Sequence, residues 1–303
     1  MKRNLLEDIL GEIVIETPFF LRNLVIYPLK FPEIDVGGEF LTLEDDGFSV
    51  SELDPPTIER VRFTNLSGKP FFILDGEELL GARQDRVVNT SLWIGKMGDF
   101  EIPVSCIERR RWGGGTIFET GVVLLNPSLR RTLCEGVTGS LFRGEGYKSD
   151  QRALWDSVER TLASLKISSK TSSFNDVYAT LRTEIEGYLE ELQGLNGDFS
   201  GFVVETPTLI SVDLFGSRKI LAKFLKKLLR SYLIEGFLAK RGVNPSLRRV
   251  RSLIKPIIVK DVIEHSTPTG LGKEVRFGDG KKTIGKILVL GETFLHFSLF
   301  KVK

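Results

Sequence analysis

The chain has 303 residues, 41% of them hydrophobic, 27% charged and 10% aromatic, with a net charge of +2, so it holds enough apolar side chain for a core and too little charge for a disordered chain. Two cysteines exclude a disulfide scaffold, two histidines and no CxxC spacing exclude a His-rich or CxxC zinc centre, and no apolar run approaches the ~20 residues of a membrane-spanning helix. Charge is unevenly spread: residues 1–60 carry 13 acidic against 5 basic side chains, and 218–255 carry 12 basic against Glu235 alone. The asymmetry fits either an anionic partner or contact between the protein's own halves.

The first sixteen residues turn acidic before any apolar run long enough for a signal peptide, so a cytoplasmic location is expected. Scarce Gln and Met beside plentiful Lys, Arg and Glu suggest a thermophilic source.

In chain order, "FFLRNLVIYPLKF" is strand-like, "LEDDGFSVSEL" is a turn with a short strand, and "ERVRFTNLSGKPFFILDGEEL" reads as two strands joined by a turn at 65–68. "QDRVVNTSLWI" and "DFEIPVSCIER" follow as a hairpin across "GKMGD". Short strands at this spacing predict a β-rich sandwich or partly closed barrel over residues 1–145. From about 149 the pattern becomes helical, with Ser149 as a cap for "DQRALWDSVERTLASL" and Ser173 opening the next helix. "GFVVETPTLISVDLF" is a hairpin, Ser217 caps a long basic helix, and the tail from Lys273 returns to strands around two Gly-rich turns. The fold class expected is α+β, with helices plus a C-terminal strand group over 146–303. The hexamer "NPSLRR" stands at 126–131 and 244–249 and reads as one helix-starting solution used twice.

Alternation singles out one place for chemistry. In "IPVSCIERRRW" (102–112), Ile102, Val104, Cys106 and Glu108 share a face; upstream, Gln84, Arg86, Val88 and Thr90 share another. Paired antiparallel, the two strands bring Gln84 and Arg86 near Cys106 and Glu108. An Arg86–Glu108 pair would offset the cost of desolvating polar groups on an apolar face. The arrangement is either one wall of a polar pocket or a structural ion pair at a sheet rim, with Cys106 as a small core residue. Alternation sends Arg109 and Arg111 to the opposite face. Glu77 and Glu78, between Gly76 and Gly81, could serve as paired carboxylates or lie in a solvated turn. No phosphate-loop spacing occurs, and neither a metal nor a cofactor is expected.

In this order across most of the chain stand "GEELLGARQDRVVNTSLWI", "IPVSCIERRRW", "QRALW", "GFVVETPTLISVDLFGS" and "KLLRSYLIEG". Together they resemble the ARG and rhodanese–phosphatase superfamily associated protein family. The resemblance implies genes linked with enzymes that process ADP-ribose and related nucleotide derivatives. It also implies a polar motif whose positions here are Glu77, Gln84, Arg86, Ser105, Cys106, Glu108, Arg111 and Trp112, with Gln151 and Trp155 further on. Where that family tends to read Glu-Gln-Gly-Arg-Trp, this chain has Glu108-Arg109-Arg110-Arg111-Trp112, with arginine in place of a flexible glycine.

Three readings follow. The first is a pocket for a small anionic nucleotide-derived ligand. Gln84, Arg86, Arg111, Trp112 and Gln151 would bind it, and Glu108, Cys106 or Glu77 would carry any catalysis. The second is a sensor or accessory protein with the same pocket and no turnover. The third is nucleic-acid binding through Lys219, Lys223, Lys226 and Arg230 on the basic helix, opposite a buried stripe of Leu221, Phe224, Leu225, Leu228 and Tyr232.

Overall fold

The computed structural model describes residues 2–95, 97–195, 197–254 and 261–303. In chain order it begins with helix α1 (Lys2–Glu12) and strands β1 (Val14–Ile15), β2 (Phe19–Leu21) and β3 (Leu24–Lys30). Eight strands follow: β4 (Phe48–Glu52), β5 (Arg60–Asn65), β6 (Phe71–Ile73), β7 (Glu77–Gly81), β8 (Arg86–Val88), β9 (Leu92–Ile94), β10 (Gly98–Cys106) and β11 (Ile117–Leu124). Three helices come next, α2 (Pro127–Phe142), α3 (Gln151–Leu165) and α4 (Asn175–Glu191). Then come β12 (Gly201–Glu205), β13 (Leu209–Phe215), α5 (Arg218–Leu238) and α6 (Leu247–Ile254). The last strands are β14 (Asp261–Ser266), β15 (Lys273–Gly278), β16 (Thr283–Leu290) and β17 (Thr293–Val302). The protein is α+β, and contacts divide it into two compact units.

The first unit comprises residues 1–37, 188–265 and 273–303. Its nine-stranded sheet runs β1-β3-β12-β13-β17-β16-β15-β14, with β2 also on β3. One face is apolar: Tyr27, Val203, Val212, Leu214, Phe297, Leu299, Ile287 and Val275 pack with Leu6, Ile9 and Leu10 of α1 and Val250 of α6. The other face carries a polar row across four strands, because the register sets Asp213 beside Ser298, Ser298 beside Lys286 and Lys286 beside Arg276. Buried polar side chains are costly unless bonded, and bonds are made. Asp213 accepts from Tyr232 of α5 at 2.7 Å and lies 3.2 Å from His296 Nε2, while Glu274 meets Arg276 at 2.7 Å. The turn between β15 and β16 is closed by Asp279, whose Oδ1 accepts the N–H groups of Lys281, Lys282 and Thr283. Against a burial penalty, those donors hold its carboxyl at about 2.

The second unit comprises residues 38–187 and 266–272. Six strands close a barrel in the order β10-β5-β4-β11-β7-β8, and β6 and β9 form a separate ribbon. Val50, Val61, Phe63, Leu79, Val88, Ile102, Val104 and Phe118 belong to its core. All three tryptophans, at 93, 112 and 155, lie in this unit, so their fluorescence reports on it alone.

Local details differ from the sequence reading for identifiable reasons. "FFLRNLVIYPLKF" is a hairpin, β2 and β3, because Arg22 takes a positive φ of 51° at its turn. "QDRVVNTSLWI" splits: β8 pairs with β10 as expected, but β9 leaves for β6. The cap of α3 is Asp150, which accepts the Ala153 N–H at 3.0 Å, while the Ser149 hydroxyl bonds Ser105 at 2.5 Å. The two "NPSLRR" hexamers start helices differently. Pro127 opens α2 directly after Asn126, whereas α6 begins at Leu247 with Ser246 Oγ accepting the Arg249 N–H at 3.2 Å. In α5, Ser217 caps as expected and the stripe Leu221, Phe224, Leu225, Leu228, Tyr232 is buried. Of the opposite ridge, Lys219 and Lys226 are exposed and Lys223 and Arg230 are half-buried.

Candidate functional site

Three barrel strands carry an apolar side chain inward and a polar one two residues on: Val50 then Glu52 on β4, Val88 then Arg86 on β8, Val104 then Cys106 on β10. Arg86 and Cys106 face each other in register, and Arg86 faces Leu79 on its other side. The polar residues therefore collect at one end of the barrel, fully desolvated: Arg86 and Cys106 are 0% exposed.

The Arg86 guanidinium donates through Nη1 to Gln84 Oε1 at 3.1 Å and to Cys106 Sγ. Its Nη2 stands 3.8 Å from Glu52 Oε1, an ion pair too long for a hydrogen bond. Arg86 Nε and Nη2 and Glu52 Oε2 have no protein hydrogen-bond partner. Trp112 completes the surroundings: the Arg86 Cζ lies 5.6 Å from its ring centroid and the Arg83 Cζ 5.8 Å. Trp112 is 51% exposed, whereas Gln84, Glu52 and Cys106 are buried. Burial pushes the Cys106 thiol up to about 11, with Arg86 opposing, so the sulfur is protonated at neutral pH.

The expected Arg86–Glu108 pair is replaced by another. Strand β10 stops at Cys106 and the chain turns, so alternation no longer governs Arg111. Arg111 folds back onto Glu108, with Nε 2.9 Å from both carboxylate oxygens and Nη2 2.6 Å from Oε2. The same guanidinium reaches Asp85 Oδ1 at 3.1 Å and the carbonyls of Gly81, Ala82 and Gly113. It thereby ties the 81–85 turn to the 108–113 turn. Arg109 and Arg110 turn outward to Glu159, at 3.1 and 3.6 Å. Arg110, which stands where the resemblance leads to an expectation of glycine, has no positive φ. The glycine this loop requires is Gly114, at φ +134°, where a Cβ would stand 2.3 Å from the Ala82 carbonyl oxygen.

Asp85 and Glu52 are site residues that sequence reasoning missed. Asp85 sits in a turn, where no periodicity marks it, and accepts from Gly81 N–H at 2.8 Å and Ser173 Oγ at 2.7 Å. Glu52 could have been found, as a charge following Val50 at the inward position of "SVSEL". Gln151 is near the site but engaged: its amide accepts the Cys106 N–H and donates to the Cys106 carbonyl, both at 2.8 Å, extending β10 by one side-chain rung. Glu77 is not brought to the cluster. It stands at the far end of β7, four residues or about 13 Å of strand from Gly81, and accepts the Leu74 N–H at 2.8 Å. Two open depressions on this unit, of about 260 and 620 Å³, do not include Arg86, Cys106 or Glu108 among their lining residues. Among the described residues, no three His, Cys, Asp or Glu side chains converge as metal ligands would.

Asp85 and Glu108 share Arg111 yet titrate in opposite directions. Burial dominates at Asp85 and raises its pKa, aided by the Glu108 charge. At Glu108 burial also pushes up, but hydrogen bonds from Arg111, Thr171 and the Asp85 N–H, with the Arg111 charge, together hold the carboxyl below the usual range. Glu108 thus contributes stability that is complete above 4.5 and lost as pH falls through its folded value. The ionised Asp85 costs stability at neutral pH, a cost relieved as pH falls through its raised value. Glu108→Gln should therefore flatten the acid limb of the stability curve below pH 4.5, and Asp85→Asn should steepen it. Urea midpoints followed by tryptophan fluorescence from pH 3 to 7 give the comparison; shifts of the same sign in both variants would contradict this assignment.

Fold and site define an α+β protein whose antiparallel barrel ends in a buried, incompletely bonded arginine–carboxylate cluster. Over residues 12–300 the chain matches the family model described as the ARG and Rhodanese-Phosphatase-superfamily-associated Protein domain, and it belongs to that family. No curated protein and no solved structure matches the chain. Among the described residues, no helix is long and apolar enough to cross a membrane.

Proposed function

We propose that the polar end of the barrel binds a small anionic ligand derived from a nucleotide, of the ADP-ribose type. One observation carries this reading: Arg86 is wholly buried with two of its three nitrogens lacking a protein hydrogen-bond partner. A buried donor left unbonded costs roughly 1–3 kcal/mol, so a fold that keeps one requires a reason, and a ligand that accepts those bonds supplies it. Trp112 offers a half-exposed aromatic face beside Arg83 and Arg86, suited to a planar base or a sugar next to a charge. The gene linkage implied by the family resemblance points to nucleotide derivatives as the ligand class. Cys106, protonated and held by Gln151, is a wall residue in this reading.

The test is thermal unfolding of the full chain, followed by calorimetry so that both units are seen, against ADP-ribose, NAD, ribose phosphates, cyclic nucleotides and short oligonucleotides. A ligand at 100 times its Kd adds roughly 2.7 kcal/mol. We expect a shift with a nucleotide derivative that is lost in Arg86→Met and weakened in Trp112→Ala, whose exposed ring can be removed without disturbing the core. A shift confined to oligonucleotides and abolished by salt would overturn the reading in favour of the exposed lysines of α5.

A further inference from the structure

The deep end of the barrel is charge-balanced, and that restricts which part of a ligand enters it. Arg86 and Glu52 lie 3.8 Å apart with side chains 0% and 1% exposed. Between them they leave two donors, Arg86 Nε and Nη2, and one acceptor, Glu52 Oε2, without protein hydrogen-bond partners. A group seated there must accept hydrogen bonds from the guanidinium and give one to the carboxylate. A phosphate dianion has acceptors in plenty and no proton for Glu52. Each of its charges would also meet Glu52 at nearly the distance at which it met Arg86. At comparable distances the attraction and the repulsion largely cancel.

Resting on the reading of this end as the ligand site, we propose that the Arg86–Glu52 pair selects a neutral group presenting an acceptor beside a donor. A ribose cis-diol and a carboxamide both have that chemistry. Glu52 is then the residue that sets specificity. The anionic part of the ligand stays outward, beside Trp112 and Arg83. A site built to bond a hydroxyl or N–H rejects analogues lacking it, because its own buried groups are then left unpaired.

The experiment is calorimetric titration of the full chain, at fixed ionic strength, with AMP, 2′,3′-dideoxy-AMP, nicotinamide mononucleotide, nicotinic acid mononucleotide and pyrophosphate. We expect at least a tenfold loss of affinity in one pair: on removing the diol, or on exchanging carboxamide for carboxylate. The pair that responds identifies the group. In Glu52→Leu the discrimination should fall to within about twofold while pyrophosphate binding is not weakened. Glu52→Gln, which keeps the shape and gives up the charge, serves if the leucine variant does not show a native tryptophan spectrum. Equal binding within both pairs, all of it lost in Arg86→Met, would place the anion at Arg86 and overturn the inference while leaving the proposed function standing. Binding by none of the probes would overturn both.

Discussion

Arg130→Met should destabilise the barrel unit by about 3–5 kcal/mol, the range for breaking a buried ion pair from one side. Arg130 is 0% exposed on α2, and its Nε and Nη2 both lie 3.3 Å from Asp75 Oδ2. Asp75, 1% exposed, also accepts from Ser91 Oγ at 2.8 Å, but a hydroxyl does not replace a cation. The substitution therefore takes from a buried carboxylate a cation that is bonded to it. Replacing Asp75 as well, as Asp75→Asn in the Arg130→Met chain, removes the buried charge and should restore part of the loss. Urea unfolding followed by tryptophan fluorescence measures both variants. A loss under 1 kcal/mol in the single variant would mean that the pair is not what fastens α2 to the barrel.

The second large effect is Arg111→Met. Arg111 is 29% exposed in its side chain, so the expected loss is smaller, about 2–3 kcal/mol at pH 7. Its removal leaves Glu108 and Asp85 facing each other without the cation they share. Both carboxyls then rise in pKa, and part of the loss should disappear by pH 5, as the first of them takes up a proton. A double cycle with Glu108→Gln should show a coupling of about 0.5–3 kcal/mol, as expected for residues in one network. Equal losses at pH 7 and pH 5 would show that Arg111 acts through its carbonyl contacts to Gly81 and Ala82 and not through charge.

Much of this architecture was legible wherever period and burial agree. The short alternating strands before residue 145 signalled the barrel, and the Gly-rich turns after 278 marked the last strands. Alternation put Arg86 and Gln84 near Cys106 and Glu108, and Arg86 does face Cys106 because both lie within continuous strand. It failed past the end of β10: a turn redirected Arg111 to Glu108, and no pattern in "IERRRW" states where a strand stops. Asp85 was invisible for the same reason, since turn residues owe their direction to backbone torsions and not to a period. Glu52 was legible and was passed over. The pairing of β3 with β12 joins residues some 175 positions apart, and nothing local to either strand specifies the other.

The sheet of the first unit has a strand order with a temporal meaning. Strand β17, the last in the chain, lies between β13 and β16. The barrel, apart from residues 266–272, is drawn from one contiguous stretch and can close while synthesis continues. The edge of β13 stays open until about 80 further residues have been made, which at roughly 5–20 residues per second is ~4–16 s. For that time an apolar strand edge is available to any other nascent chain. Damage or truncation near the C-terminus would therefore leave a finished barrel attached to a sheet open at its middle, a species inclined to aggregate while its tryptophans still report a native fold.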